Sequence, residues 1–345
     1  MKKALRYIIG TIIVLGVLAW TVMTYFPEKL VPLMLNRQIK NANLSTDLLE
    51  DKDAITVFTV GTSSPLPGTR VQTGTAVFVN GHFFMFDVGD GTVQKMENMK
   101  LPLPKIDGIF ITHYHSDHFV DMPYLINRSW VLGRTNDLHV YGPDGLDSIL
   151  MGGNQFLKLE NEYRVAHHGT TLMNIEKAKG IPHEFKNEQG KKQVIYQQDG
   201  ITITAFDVDH EPIEPAVGYA IEYKGKKVVI SGDTKKNDMV LEMSKDADLL
   251  IHEVILKSLL QQISLGLKES GNTRNAQLVS DIQDYHTSPA EVAELATKAH
   301  VKKLVLSHFA PAPDMKVVEN LYRKELTGYV GALHFANDGD KFIIK

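Results

Sequence analysis

The chemistry of this 345-residue chain concentrates in Thr112 to His118, which reads T-H-Y-H-S-D-H. Three imidazoles and a carboxylate in so short a span form a metal-binding donor set, since neutral imidazole nitrogen and carboxylate oxygen are ordinary ligands of divalent zinc. His113 and His115 alternate on extended backbone, so both rings can point to one side. Asp117 and His118 come one turn later and can face a second position. Ligands at this density suit two metals better than one. Further donors stand at the ends of apolar runs: His210 in D-V-D-H-E-P, Asp233 in I-S-G-D-T and His308 in V-L-S-H-F. Cys is absent, so thiolate metal sites and disulfides are excluded and His and carboxylates must do the holding.

The elements that must position these residues are mostly strands. Ile55 to Val60 predicts a strand ended by a turn-rich loop from Gly61 to Gly68. Thr75–Val79 and Phe83–Asp87 flank Asn80-Gly81, a strong hairpin signal. Ile106 to Thr112 is a short apolar run of the buried-strand type, with helical pattern from Met122 towards Leu132. Gly142 to Gly190 is the least regular stretch, with a helix near Leu146 and a long excursion carrying His167, His168 and His183. Hairpins return around Asp199-Gly200 and Lys224-Gly225, and Leu256 to Leu267 predicts a helix. Ser288, Pro289 and Glu291 have the types expected at the N-cap and first turn of a helix ending near Lys298. Strands that come both as hairpins and alternating with helices fit a layered sheet sandwich better than a doubly wound parallel sheet.

T-H-Y-H-S-D-H with His210, S-G-D-T and S-H-F resembles the metallo-β-lactamase superfamily, from about Ile55 to the C-terminus. The resemblance implies an α+β fold, the four-layer αββα sandwich. It also implies a hydrolase with two zinc ions, although iron or manganese suits the same donors. His113, His115 and His210 would hold one metal, Asp117, His118 and His308 the other, and Asp233 would bridge them. Asp87, in F-D-V-G-D-G, would hold a ligand His by its free ring N–H. L-I-H-E-V at Leu250–Val254, H-T-S at His286–Ser288 and the Gly133 to Pro143 segment are similar to the ribonuclease Z and zinc arylsulfatase branch. On that branch His286 would protonate a leaving oxygen, steadied by Glu253, with His252 beside it, and Asp117 would handle the proton of a metal-bridging hydroxide. The expected reaction is cleavage of a small-molecule ester, a phosphodiester or an aryl sulfate. The alternative is ribonuclease Z-like tRNA 3′ processing, with lactone or β-lactam opening as a further activity. No Gly/Pro-rich basic arm stands between the metal motifs, and this places nucleic acid second. His167 and His168 are expected at the surface, and Tyr285 is open between substrate contact and core packing.

Lys2, Lys3 and Arg6 precede an uncharged apolar run from Tyr7 to Phe26, and about 20 such residues span a bilayer as a helix. The expected organisation is a signal anchor or transmembrane helix over 1–26, a mostly irregular connector over 27–53 and a hydrolase domain over 54–345. Basic residues in front place the N-terminus in the cytoplasm and the catalytic domain on the periplasmic or extracytoplasmic side of an inner membrane, or in the medium if the segment is cleaved. A net charge of −4 with no long basic run gives no general reason to expect nucleic acid. Homodimerisation is left open.

Overall fold

The computed structural model describes residues 2–40 and 45–345. It divides into two compact units, 1–45 and 46–345. In the first, helix α1 (Lys2–Tyr25) is followed after Phe26 by α2 (Pro27–Lys40). α1 is long and apolar enough to cross a membrane and is exposed along its length. The Lys2 side chain and residues 41–44 lie outside the described residues. The helix α2 replaces the irregular connector expected from Pro27 and Pro32. Pro27 occupies the first helical position, where no N–H is required, and Glu28 adds favourable first-turn charge, so one internal proline is tolerated.

The second unit begins at Thr46, not at residue 54, because a short 3₁₀ turn (Thr46–Leu49) buries Leu48 in the domain core. Lys52 Nζ also donates to Asn80 O at 2.9 Å. One sheet holds β1 (Ile55–Gly61), β2 (Gly74–Val79), β3 (His82–Phe86), β4 (Gly108–Phe110), β5 (Leu138–Pro143) and β6 (Gly180–Phe185), with the last strand, β14 (Asp340–Ile344), beside β1. The other holds β7 (Lys192–Gln198), β8 (Ile201–Asp207), β9 (Val217–Tyr223), β10 (Lys226–Ile230), β11 (Leu249–Ile255), β12 (Lys303–Ala310) and β13 (Ala332–Phe335) in that order. Alternate residues of the two sheets meet face to face: Val57, Phe84, Phe86 and Phe110 from the first, Ile203, Tyr219, Ile251 and Val305 from the second.

Helices cover both outer faces. α3 (Thr92–Asn98), α4 (Ser116–Phe119), α5 (Met122–Val131), α6 (Leu146–Phe156) and α7 (Lys158–His168) follow strands of the first sheet, and Met96, Leu125 and Leu150 pack on Phe78, Ile109 and Val140. α8 (Asp238–Met243), α9 (Lys257–Glu269), α10 (Thr273–Asp281), α11 (Pro289–Lys298) and α12 (Lys316–Glu325) follow strands of the second, and Val240, Leu295 and Tyr322 pack on Val229, Leu250 and Leu304. The result is the expected four-layer αββα order. The capping box of α11 forms in full between Ser288 and Glu291.

Two segments differ from the sequence-based reading. Residues 142–190 form two helices, a 3₁₀ turn and strand β6 rather than an irregular excursion. α6 is the helix expected near Leu146; α7 abuts it at Leu157, and Asn161 is buried against Asn127, bonded at 2.8 Å; the low apolar content of α7 hid it. Helix α10, polar apart from Ala276, Leu278 and Val279, was also absent from the sequence-based reading.

Candidate metal centre

The expected ligands gather at one edge of the sandwich, in or just after the strands that lead to it. β4 delivers Thr112 and His113, and His115 stays extended as the residue before α4. Asp117 and His118 occupy the first turn of α4. β8 leads to His210 and β10 to Asp233. His308 lies within β12 and is the extra residue of a bulge: Glu253 pairs with Ser307 and Val254 with Phe309, so His308 has no partner in β11. Its φ of 49° is costly for a side chain with a Cβ, and the bulge turns the imidazole into the cluster. Two glycines allow close approaches. A Cβ on Gly89 would meet Asp117 O at 2.1 Å, and one on Gly232, at φ +63°, would meet Val217 O at 2.5 Å.

The side chains converge in two adjacent groups, His113, His115, His210 and Asp233, and then Asp117, His118 and His308. His115 Nδ1 lies 3.0 Å from His113 Nε2 and 3.4 Å from His210 Nε2. Asp233 Oδ2 lies between the two groups, 3.9 Å from His113 Nε2, 4.0 Å from His210 Nε2, and 3.2 Å from each of His118 Nε2 and His308 Nε2. Asp117 Oδ2 is 3.2 Å from His308 Nε2 and 3.5 Å from His118 Nε2.

Neighbouring groups fix which ring nitrogen faces inward. The Tyr285 carbonyl can only accept, so His210 Nδ1, 2.9 Å away, donates and Nε2 keeps its lone pair for the cluster. His118 Nδ1 is 2.8 Å from Asp87 Oδ2, and Asp87 also accepts from Thr112 N at 2.8 Å and from Thr112 Oγ1. This leaves His118 Nε2 buried without a hydrogen-bond partner between two carboxylates. Such an atom is costly unless something binds it. A divalent metal fits the orphaned nitrogen and the surrounding nitrogen and carboxylate donors.

The electrostatics divide the histidines. Burial pushes His113 well below its ordinary value and His210 down to about 4, and it also lowers His115. These rings are neutral ligands near neutral pH. Burial opposes charge on His118 and His308 too, but Asp233 and its neighbours outweigh it and raise both. Burial alone would raise Asp233, yet His308 and His118 hold it well below the carboxylate range. Asp117 is lowered by His118 and by the His308 hydrogen bond against the same burial penalty.

His286 is buried beside this centre and groups with Asp233 and His308. Its ring stacks on His308 at 5.5 Å, and its Nδ1 lies 3.3 Å from Glu253 Oε1. Glu253 is held in turn by Thr287 N at 2.8 Å and Thr234 N at 3.4 Å. His252, expected beside Glu253 as a catalytic residue, is not part of the cluster. Strand alternation puts it on the face of Leu250 and Val254, which pack against the helices, while Glu253 shares the face of Ile251. Its Nδ1 is 2.6 Å from Glu253 O. His167 and His168 end helix α7, exposed and outside the cavity at the centre.

That cavity is about 190 Å³. His115, Asp117, Asp233, His286 and His308 line it together with Pro65, Leu66, Ile282, Tyr285 and Ala310. Among the described residues no Lys or Arg lines it. The sequence motifs did not single out Leu66, Ile282 or Arg70. Arg70 crosses behind the bulge, bonding Asp314 Oδ1 and Ala336 O at 2.6 Å each and Thr62 Oγ1 at 2.9 Å, with its guanidinium over the Phe309 ring. The G-T-S-S-P-L-P-G-T-R segment after β1 supplies both Leu66 and Arg70, and its length after a buried strand was the only available signal.

A family model described as the beta-lactamase superfamily domain matches residues 82–309. The chain is 31% identical over 285 residues to ribonuclease Z of Mycobacterium bovis (strain BCG / Pasteur 1173P2), covering 81% of this chain and 94% of that protein. Human short-form tRNase Z superposes with a TM-score of 0.61 at 21% identity, over 84% of this chain and 99% of that one. The metallo-β-lactamase fold protein YhfI from Bacillus subtilis gives 0.59 at 20% identity, over 84% and 100%. The chain belongs to the metallo-β-lactamase superfamily, as a ribonuclease Z-like member. It is a metal-dependent hydrolase of that class.

Proposed function

We propose that this hydrolase cleaves phosphodiester bonds with two divalent metals, zinc in the first instance, and that RNA is its first substrate class. The placement of His286 carries this reading. A phosphodiester between sugars loses an alkoxide, a poor leaving group that needs a proton as it departs, whereas a phenolate leaves unaided. Glu253, pinned by two backbone amides, lies 3.3 Å from His286 Nδ1, which leaves Nε2 as the ring nitrogen to donate towards the cavity. Asp117, on the cavity wall, orients and accepts the proton of the attacking water. When bound, the metals supply a hydroxide near neutral pH and offset charge at the attacked phosphorus. His113, His115 and His210 would hold one and Asp117, His118 and His308 the other, with Asp233 shared. The 31% identity with ribonuclease Z supports RNA over the small esters that the motifs alone put first.

A second reading, a small aryl ester such as an aryl sulfate, draws on the small cavity without a cationic side chain and on helices α6 and α7, which abut where a basic arm was sought. Zinc-loaded protein offered a 3′-extended tRNA precursor, bis(p-nitrophenyl) phosphate and p-nitrophenyl sulfate separates the two. Both phosphodiesters should be cleaved. His286→Ala should slow RNA cleavage by roughly 10²–10⁴ and the activated diester far less. An intact precursor alongside turnover of the sulfate would replace RNA with the second reading.

We also propose that α1 anchors the chain in a membrane, with Lys3 and Arg6 on the cytoplasmic side. Retention of full-length protein in alkali-washed membranes tests it; release of a shortened chain would make the segment a cleaved signal.

A further inference from the structure

The apolar part of the cavity lining is built as a unit of its own. Leu66, from the loop after β1, and Ile282, just past α10, join Leu260, Val279, Ile255 and Ala310 in a small separate hydrophobic cluster. Helices α9 and α10, which lie between Glu253 and His286 in sequence, supply Leu260, Ile263, Leu267 and Val279 of it, with Ser264 Oγ tied to Ala276 O at 2.7 Å. Three of these residues, Leu66, Ile282 and Ala310, also face the cavity. Apolar surface held rigidly beside a polar centre is the usual composition of a ligand subsite.

Tyr285 completes this lining. Its backbone is fixed by the ligand: the carbonyl accepts from His210 Nδ1 at 2.9 Å. Its ring stands edge-on to His210 at 5.1 Å and tilted against His286 at 4.9 Å. It is half-buried and faces the cavity. An aromatic face next to the proton donor, an apolar floor of Leu66 and Ile282, and no cationic side chain in the lining select for shape and stacking, with the anion left to the metals.

We propose that Tyr285, Leu66 and Ile282 form a subsite for a planar aromatic group attached next to the scissile ester. The inference rests on the reading of this cavity as the site of ester cleavage. It narrows the substrates to esters bearing a nucleobase or an aryl ring close to the reacting centre, and it resolves the question over Tyr285 in favour of substrate contact.

Calorimetric titration of the zinc-loaded full chain tests this without turnover. Phenylphosphonate and methylphosphonate carry the same anion with and without a ring; adenosine 5′-monophosphate and ribose 5-phosphate do the same for a nucleobase. The wild type should favour the ring-bearing member of at least one pair by about tenfold. Tyr285→Ala should bring that ratio close to one, Tyr285→Phe should keep it, and Leu66→Ala should reduce it, with two metals still bound in each variant. The pair that responds identifies the source of the ring, aryl or nucleobase. Equal affinities within both pairs for the wild type, or a preference that Tyr285→Ala leaves intact, overturns the subsite. Because binding is measured, a protein that cleaves no phosphodiester yet shows the ratio would refute the proposed reaction and keep the subsite.

Discussion

The two ends of the sandwich use histidine in opposite ways. At the end away from the metals, the turns Asn80-Gly81, Asp199-Gly200 and Lys224-Gly225 close hairpins with positive φ at both residues, and polar groups cross-link the sheets. Asn80 Nδ2 donates to Asp199 O at 2.8 Å, Tyr223 OH to Lys52 O at 2.7 Å, and His82 bridges Asp199 at 2.9 Å and Asp107 at 3.5 Å. Here a histidine is paired with two carboxylates and satisfied. At the metal end, rings are buried, His118 Nε2 is orphaned and His308 sits at a strained φ. Each of these features costs stability and is explained only by something bound. The hairpin end stabilises the fold, and the opposite end is kept ready for metal.

The contrast can be broken first at Asp233, whose Oδ2 lies within 4.0 Å of histidines in both ligand groups. Asp233→Ala should abolish activity and reduce bound zinc from two equivalents towards one, by metal analysis after dialysis. Next comes His286→Ala, which should lower kcat by roughly 10²–10⁴ while two equivalents remain; metal loss here would recast His286 as a ligand. Arg70→Ala, behind the bulge, should weaken the metal held by His308 about 10–100-fold and leave the His113, His115 and His210 metal unchanged in competition with a chromogenic chelator. Arg70→Lys should recover little, since Lys lacks the fork that reaches Asp314, Thr62, Ala336 and Asn337 together.

The smallest effect is expected at the hairpin end. The Asp107 hydrogen bond, against partial burial and with help from Asp199, holds His82 above its ordinary value. A raised folded-state pKa gives stability that is complete below about pH 6.5 and lost as pH rises through the folded value. His82→Gln should therefore lower the melting midpoint by roughly 2–4 °C at pH 6 and by less at pH 9. Equal losses at both values would assign His82 to packing alone.

The hairpins were legible because their signals are local: two turn residues between alternating runs fix both pairing and register. The ligands were legible for a related reason, since each is a His or Asp just past an apolar run. What escaped reading depends on tertiary context. Whether His252 or Glu253 faces the centre is decided by the strand's pleat and cannot be told from the dipeptide. The role of Arg70 needs three loops brought together in space. Leu66 and Ile282 look like any core residues until the cavity shows one side of each uncovered. Helices α2, α7 and α10 are largely polar, and packing rather than periodicity holds the last two.

The absence of Lys and Arg from the described cavity lining has a consequence for how substrate is captured. Proteins that grip polyanions with many side-chain cations release counterions on binding and lose affinity steeply as salt is added. Here the metals would carry nearly all the positive charge, at short range and shielded from bulk electrolyte, so raising ionic strength should leave the Michaelis constant nearly flat where a cationic groove would show a steep climb.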